Sequence, residues 1–292
     1  MIEFNKLTII IPSLLSKIDE RWIKQVNRFN QHNIKIIISI PPNLSKKNKF
    51  INKFDKEILI INSDKKGQVN QRQYGYKYVK TEYLMHMDDD IFISIKSLKI
   101  LLNQFENLPR KSFIAPRLSF KYDNNQGLFF KKFINLLLYK KLTPKPGTVL
   151  KSTFEVPYNL PFDSNQEIES VDYIPGGISL TCIENILKKG YFSFEGKAYC
   201  EDLIHSNLLK KNGVQLFISN KSFYKTEIQN YKDLKTKDFI KFIKNDYKVR
   251  NYYRKSINNP LIPFLITYFL LIINFFMRKL IINCFNYRKS FF

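Results

Sequence analysis

Cysteine and histidine are both scarce in this sequence. Its 292 residues include three cysteines and three histidines, at Cys182, Cys200, Cys284, His32, His86 and His205. The cysteines are odd in number and lack the spacing of a metal site, and the histidines are too scattered to make a zinc site by themselves. The sequence therefore argues against a zinc centre or a disulfide framework, and we expect reduced packing cysteines in a cytosolic protein.

Acidic residues are also few. The 25 Asp and Glu residues stand against 48 Lys and Arg residues, which makes a formal net charge of +23 and a sequence pI near 9.7. This imbalance implies an anionic partner, which would be nucleic acid, anionic lipid or a phosphorylated substrate. The joint richness in Lys, Asn, Ile, Phe and Tyr is also typical of AT-rich coding DNA, which would account for part of the charge without any function.

The apolar content argues against a disordered chain. Hydrophobic residues make up 44% of the sequence and aromatic residues 15%, enough to build a core. Residues 7–15 are apolar, but Pro12 interrupts them and no small-residue cleavage site follows, so they predict a buried first strand and not a signal peptide. The length suits a single α/β domain with appendages or two domains.

Strand-like and helix-like segments alternate along the first third of the chain. After residues 7–15, the β-branched runs 34–40 and 58–61 predict two more strands, and residues 82–92 predict a fourth. Residues 18–30 and 69–78 have helical patterns. The order strand, helix, strand, strand, helix, strand predicts an α/β fold with a mostly parallel central sheet and flanking helices. In such sheets ligands bind beyond the carboxyl ends of the strands.

Three consecutive carboxylates, Asp88, Asp89 and Asp90, follow the apolar part of the fourth strand. Adjacent carboxylates repel one another unless a cation or hydrogen-bond donors compensate. In an extended stretch Asp88 and Asp90 point to one side and Asp89 to the other. We expect the pair to hold Mg²⁺ or Mn²⁺ together with substrate phosphates. The alternative is an exposed acidic turn.

A glycine-containing loop precedes the helix at residues 69–78. Gly67 lets backbone N–H groups approach an anion, and Lys66 and Arg72 add positive charge toward it. This motif is weak by itself. Its place between the third strand and the Asp-x-Asp sequence strengthens the prediction of an anion site.

The order of these motifs resembles that of the family 2 glycosyltransferases, which have the GT-A fold. The family's glycine, its helix arginine and its aromatic strand ending in Asp-x-Asp are matched by Gly67, Arg72, Tyr83, Asp88 and Asp90. Three later blocks are also similar. Residues 172–177 resemble the segment under the donor sugar, residues 200–203 the Glu-Asp motif, and residues 247–253 the Arg-Asn stretch of many bacterial members. The resemblance covers about residues 7–255 and points to the type that builds bacterial cell-surface glycans.

The resemblance implies a role for each matching residue. Asp202, with Glu201 beside it, would be the catalytic base of an inverting transfer, and a divalent cation, Mn²⁺ or Mg²⁺, would be held by Asp88 and Asp90. The nucleotide sugar would contact Pro12, Lys66, Gly67, Arg72, Asp88, Asp89, Gly176, Gly177 and Lys225. The alternative for Glu201 and Asp202 is capping of a helix over residues 203–211, where acidic side chains are favoured in any case.

Three motifs of the family are missing. Residues 39–43 (Ser-Ile-Pro-Pro-Asn) replace the segment whose Asp meets the nucleotide base, and Phe223-Tyr224-Lys225 replaces a metal-binding histidine. We expect Lys225 to substitute a fixed positive charge for part of the metal's role, or else the Asp pair and the diphosphate hold the metal alone. The Gln-x-x-Arg-Trp motif of processive synthases is absent, since the single tryptophan is Trp22, so we expect addition of one sugar at a time.

The carboxyl end predicts association with a membrane surface. Residues 261–277 carry no charge and would form a helix about 26 Å long, whereas a bilayer core is about 30 Å thick. We expect this helix to lie in the interface at the cytoplasmic face of the cell membrane, with its basic flanks on anionic lipid. The alternative is a helix packed on the catalytic domain. Residues 129–142 resemble a basic amphipathic helix, either on a membrane or partly buried.

The predicted organisation is a GT-A-like catalytic domain over residues 1–235 and a helical region over 236–292. Residues 1–108 would bind the nucleotide sugar, and residues 109–235 would form the acceptor and catalytic half. The expected function is transfer of one sugar from a nucleotide-diphosphate sugar to a lipid-linked or surface-glycan acceptor, without nucleic acid as a partner. Two alternatives stay open: a basic nucleic-acid-binding protein or metal-dependent nuclease, and a catalytically inactive GT-A binding domain.

Overall fold

The structure is a computed structural model. It describes residues 2–16, 18–44, 50–119, 145–158, 165–187, 200–226 and 235–289, with side chains as far as residue 277. The helix predicted at residues 129–142 lies outside the described residues.

The first part of the fold follows the predicted order of elements. Its strands are β1 (Leu7–Pro12), β2 (Lys35–Ile40), β3 (Leu59–Asn62) and β4 (Tyr83–Met87), and its helices are α1 (Glu20–Gln31) and α2 (Gln68–Tyr76). The side chain of Asp19 caps α1 by accepting from the Trp22 N–H at 2.8 Å. The strands pair in the order β3-β2-β1-β4, all parallel, so the predicted parallel sheet is confirmed for this part.

The second part of the sheet is mixed. Its elements are β5 (Ile91–Ile93), α3 (Ile95–Glu106), β6 (Ser112–Leu118), β7 (Ile168–Ser170), β8 (Ile178–Cys182), α4 (Glu201–Lys211) and β9 (Gln215–Thr226). In the described residues the sheet runs β3-β2-β1-β4-β8-β6-β9-β5, with β7 also on β9. β8 is antiparallel to both β4 and β6, whereas β6 and β9 are parallel. The predicted α/β class is confirmed, but the sheet as a whole is mixed and not mostly parallel.

Helices cover both faces of the sheet. Trp22 and Val26 of α1 and Leu98 of α3 belong to a large core on one face. On the other face, α2 covers Ile10 and Ile37, and α4 packs on Phe113 and Leu216 through Leu209. The carboxyl ends of β1, β2 and β4 lie next to the first turns of α2 and α4.

Two helices follow the sheet, α5 (Thr236–Ser256) and α6 (Leu261–Lys289). Phe264, Thr267 and Tyr268 of α6 are buried, and the Tyr268 hydroxyl donates to Asp246 of α5 at 2.5 Å. One face of residues 261–277 is therefore packed on the protein, as the alternative prediction had it. Among the described residues, no helix combines the length and the apolar character that a bilayer crossing requires.

Candidate active site

A buried arginine joins the acidic turn after β4 to the start of α4. The guanidinium of Arg72, on α2, donates to Asp88 at 2.5 Å and to Glu201 at 3.0 Å. Only 8% of its side chain is exposed. Burial opposes its charge, but Asp88 and Glu201 together raise the pKa of Arg72 above its ordinary value. Arg72 is therefore a permanent cation between two motifs that are distant in the sequence.

The three consecutive aspartates do not continue the strand. β4 ends at Met87 and the chain turns at Asp89 and Asp90. The prediction that Asp88 and Asp90 share one side of an extended stretch is therefore wrong. The physical reason is that Asp88 and Asp89 are held by different elements, which bend the chain after the strand.

Asp88 and Asp89 have separate hydrogen-bond partners. Asp88 accepts from Arg72 and from the side chain of Gln68, and burial raises its pKa to about 6 despite these bonds. Asp89 accepts from the Ser13 hydroxyl at 2.6 Å, which ties the acidic turn to the end of β1, and burial raises its pKa as well. Asp90 is exposed, so it is the member of the trio open to solvent.

The glycine pair at the start of β8 lies between the acidic turn and α4. The Gly177 carbonyl accepts from the Asp88 N–H at 2.8 Å. A Cβ on Gly177 would lie 3.0 Å from Asp88 Oδ2, and a Cβ on Gly176 would lie 2.9 Å from Glu201 Oε1. Any side chain here would push against a carboxylate. The absence of side chains thus lets the acidic turn and α4 approach each other.

Asp202 is the second residue of α4 and is half-buried. Burial, followed by the charges of Glu155 and Glu201, raises the pKa of its carboxyl to about 7. Its Oδ1 accepts from the Leu203 N–H at 3.0 Å. A carboxylate with this pKa can accept a proton near neutral pH. The place in the first turn also agrees with the alternative of helix stabilisation, since acidic side chains are favoured at a helix N-terminus.

Arg72, Glu201 and Asp202 also line a small, partly open cavity of about 30 Å³, together with His86 and His205. Burial, then the charge of Arg72, lowers the pKa of both histidines, that of His205 to about 4. Both rings are therefore neutral at physiological pH. His205 is half-buried and packs edge-on against Phe113.

Lys225 does not reach this site. Side chains alternate along β9, and Tyr224 is the residue whose hydroxyl is affected by the charges of Asp88 and Asp90. Lys225 points to the other side of the strand and lines a groove with Arg28 and Phe92. The prediction that Lys225 adds positive charge at the diphosphate is corrected by this geometry.

The other residues predicted to contact the nucleotide sugar lie near the carboxyl ends of the parallel strands. Pro12 ends β1. Gly67 precedes α2 with φ +122°, a conformation that favours glycine, and Lys66 beside it is exposed. The structure thus places Pro12, Lys66 and Gly67 near these strand ends and brings Arg72, Asp88, Gly176, Gly177, Glu201 and Asp202 into contact.

Sequence reasoning missed the glutamine that supports these strand ends. Gln71 is buried on α2, and its side-chain amide donates to the carbonyls of Ser13 at 3.1 Å and Ser39 at 2.6 Å. It links the ends of β1 and β2 to the helix that carries Arg72. In the sequence, the position of Gln71 directly before Arg72 is the one feature that connects this glutamine with the site.

A second buried arginine lies on the opposite side of Asp202. Arg250 of α5 pairs with Glu155 at 2.5 Å and with Asp246 at 3.2 Å. Asp246 in turn accepts from the Cys200 thiol at 3.2 Å, and Cys200 directly precedes α4. The Arg-Asn block therefore braces the start of the helix that carries Asp202. Glu155 was also missed, because nothing in the sequence around it marks a site.

A metal at this site would need the donor molecule. Within the described part of the chain, no three His, Cys, Asp or Glu side chains are placed to hold an ion. Asp88 and Asp90 supply the hard oxygen atoms that Mg²⁺ and Mn²⁺ prefer. Since Mg²⁺ is often held by one or two carboxylates and substrate phosphates, the residues fit an ion that arrives with a diphosphate.

Comparison with known proteins shows the class. The family model described as Glycosyl transferase family 2 matches residues 20–162, and 332 chains of known structure match this chain. One is described as GalNAc-T7 with UDP, GalNAc and Mn²⁺. It has a TM-score of 0.51 and 13% sequence identity, over 77% of this chain and 43% of that chain. This chain thus spans less than half the length of that neighbour. No curated protein matches the sequence.

The fold is that of the GT-A-like glycosyltransferases, as the likeness to GalNAc-T7 shows. Within this class, residues 20–162 match the glycosyltransferase family 2 model. The predicted fold and family are thereby confirmed. The family match ends before Gly176, Gly177, Glu201 and Asp202, so the roles of these residues stay predictions.

Proposed function

We propose that this protein transfers one sugar from a nucleotide-diphosphate sugar to a hydroxyl group of a lipid-linked or surface-glycan acceptor. The observation that carries the proposal is the meeting of Asp88, the Gly176-Gly177 pair and Asp202 near the carboxyl ends of the strands. A half-buried carboxylate with a raised pKa lies beside a segment without side chains, which is the arrangement that a base beside a sugar pocket requires. The family match and a neighbour described with UDP and GalNAc support the same reaction.

Asp202 would act as the general base. As the acceptor hydroxyl oxygen forms a bond with the anomeric carbon of the sugar, its proton passes to the Asp202 carboxylate. The bond between that carbon and the diphosphate oxygen breaks, and its electron pair leaves with the diphosphate. Attack from the side opposite the leaving group inverts the anomeric configuration, so inversion is part of the proposal.

The leaving diphosphate needs positive charge nearby. Arg72 is a fixed buried cation, and it also holds Asp88 and Glu201 in place. When bound at Asp88 and Asp90, a divalent cation would offset the charge that develops on the diphosphate. The neighbour GalNAc-T7 is described with Mn²⁺, which supports a metal requirement here.

The first experiment is a thermal-shift series with UDP, GDP, CDP and TDP, each with and without Mn²⁺. A ligand that binds only the folded state raises its apparent stability, so we expect one nucleotide to raise the Tm in a metal-dependent way. Asp90→Ala should remove the metal dependence, because it deletes the exposed carboxylate of the acidic turn. Glu57→Ala, at an exposed carboxylate far from that turn in the sequence, should behave as the wild type.

The nature of the product completes the test. NMR analysis of the glycoside formed from the stabilising donor should show the inverted anomer. A retained anomer would exclude Asp202 as the base of a single displacement. The absence of any shift with all four nucleotides would favour a catalytically inactive binding domain or a nucleic-acid-binding protein.

A further inference from the structure

Helix α6 carries a long apolar face that the described residues do not cover. The side chains of Ile262, Ile266, Phe269, Ile273 and Phe276 are spaced by three or four residues, so they form one stripe along the helix. Ile262 is 72% exposed and Phe269 64%. Further exposed apolar side chains, such as Leu265 and Met277, widen the stripe. Residues 261–277 contain no charged side chain.

The opposite face of α6 is anchored to the protein. Phe264 is fully buried and packs against Tyr247, and Tyr268 contacts the ring of Phe154 and donates to Asp246. Phe239 stacks on Phe275 and Tyr247 contacts Phe264, so α5 and α6 run antiparallel side by side. The exposed stripe is therefore a fixed surface on a two-helix platform.

The platform is strongly basic. Lys235 and five lysines of α5 are exposed, at Lys237, Lys241, Lys244, Lys248 and Lys255, whereas Asp238 is the exposed acidic residue of that helix. A contiguous stripe of exposed apolar side chains is typical of an interaction site. The partner must accept apolar side chains and attract lysines at the same time.

We infer that the exposed face of α6 docks on an anionic lipid surface, with the helix lying in the plane of the interface and the exposed lysines of the adjacent α5 attracted to the headgroups. Interfacial helices bury an apolar face among acyl chains while basic side chains meet anionic headgroups. A second copy of this chain is disfavoured as the occupant, because each copy carries a formal net charge of +23 and the two would repel. This inference does not depend on the proposed reaction.

Vesicle flotation of the full chain tests the inference without any nucleotide. The probes are vesicles of phosphatidylcholine alone and vesicles of an equal mixture of phosphatidylcholine and phosphatidylglycerol. We expect the protein to float with the mixed vesicles and to remain with the soluble fraction when the vesicles contain phosphatidylcholine alone. Added salt should weaken the binding, because it screens the attraction between lysines and headgroups.

Two variants separate the apolar and the basic contributions. The double substitution Ile262→Asn and Phe269→Asn should lower partitioning into mixed vesicles about 100-fold or more, since each large side chain contributes about one tenfold step or more when buried. Leu59→Asn, at an exposed apolar residue of β3, should bind as the wild type. Replacement of Lys241, Lys244 and Lys248 by Gln should weaken binding to mixed vesicles and reduce its dependence on salt.

Three outcomes would overturn the inference. They are a wild-type protein that never floats, a double variant that floats as well as the wild type, and a dimer in light scattering that the double substitution dissociates. Both substituted side chains are exposed, so we expect the variant to fold. Should it fail to fold, the lysine variant and the salt series on the wild type still decide the question.

Discussion

At the scale of single residues, two charged groups define the site. Arg72 is held between Asp88 and Glu201, and Asp202 is a carboxylate whose pKa burial raises to about 7. Arg72 would be unfavourable to bury alone and is compensated by its two carboxylates, whereas the charges of Glu155 and Glu201 oppose ionisation of Asp202. Substitutions at these positions therefore separate roles in folding from roles in catalysis.

Asp202→Asn should lower turnover by about 10²–10⁴-fold, the usual contribution of a positioned base. The wild-type rate should rise as the pH increases through about 7, because the base acts only when deprotonated. The variant should lack this rise. The measurement is kcat/KM for sugar transfer against pH, with Glu184→Gln, at an exposed carboxylate, as the control. Near-normal turnover by a folded Asp202→Asn protein would contradict the assignment.

Arg72→Ala should destabilise the fold by about 3–5 kcal/mol, because it leaves the Asp88 and Glu201 carboxylates buried without their cation. Urea unfolding measures this loss. Arg110→Ala is the matched control, since Arg110 also pairs with two glutamates but is 59% exposed, and its loss should be much smaller because solvent screens exposed ion pairs. Equal, small losses in both variants would show that the bridge of Arg72 does not stabilise the protein.

At the scale of secondary-structure elements, α4 is braced from behind by the two C-terminal helices. Tyr268 of α6 donates to Asp246 of α5, and Asp246 accepts from Cys200 at the start of α4. Arg250 connects the same Asp246 to Glu155. The Arg-Asn block and the apolar helix thus belong to one structural unit with the helix that carries Asp202.

Tyr268→Phe removes one hydrogen bond from a buried carboxylate and should therefore cost about 1.5–3 kcal/mol of stability. Chemical denaturation measures the change. Tyr78→Phe provides the control, because the Tyr78 hydroxyl meets only the exposed hydroxyl of Tyr74 at 3.3 Å, and it should be nearly neutral. If both variants unfold at the same urea concentration as the wild type, the brace contributes nothing to stability.

At the scale of the whole molecule, Asp202 and His205 give the stability of the protein opposite dependences on pH. The pKa of Asp202 is raised, so the folded state binds more protons than the unfolded state and stability falls as the pH rises toward about 7. The pKa of His205 is lowered to about 4, so stability is lost as the pH falls below about 6.5. Above about pH 6.5 His205 is mostly neutral in both the folded and the unfolded state, so it no longer changes the stability of the protein with pH.

The free energy of unfolding should therefore fall by about 1 kcal/mol between about pH 6.5 and pH 8 in the wild type, as the remaining protonated Asp202 ionises inside the folded protein. Asp202→Asn should remove most of this decrease, whereas Asp64→Asn, at an exposed residue, should leave it unchanged. Urea unfolding at the two pH values provides the measurement. An identical decrease in wild type and Asp202→Asn would show that another group causes it.

Local sequence patterns predicted the elements of the first part of the fold, because β-branched runs and helical spacing reflect which side chains a strand or helix buries. The sequence also indicated the motifs around Gly67, Asp88 and Asp202, since their order along the chain resembles a known family. Lys225 was misplaced because the side that a strand residue faces depends on the pairing of β9 in the sheet.

The pairing of charged residues in the site depends on how distant segments of the chain pack together. Asp88 and Glu201 share Arg72, and Glu155 lies near Asp202, although these residues are far apart in the sequence. The turn at Asp89 and Asp90 likewise results from the bond of Asp89 to Ser13 at the end of another strand. Contacts between distant segments arise from packing and desolvation, which no local pattern encodes, and they set the pKa values on which the proposed chemistry depends.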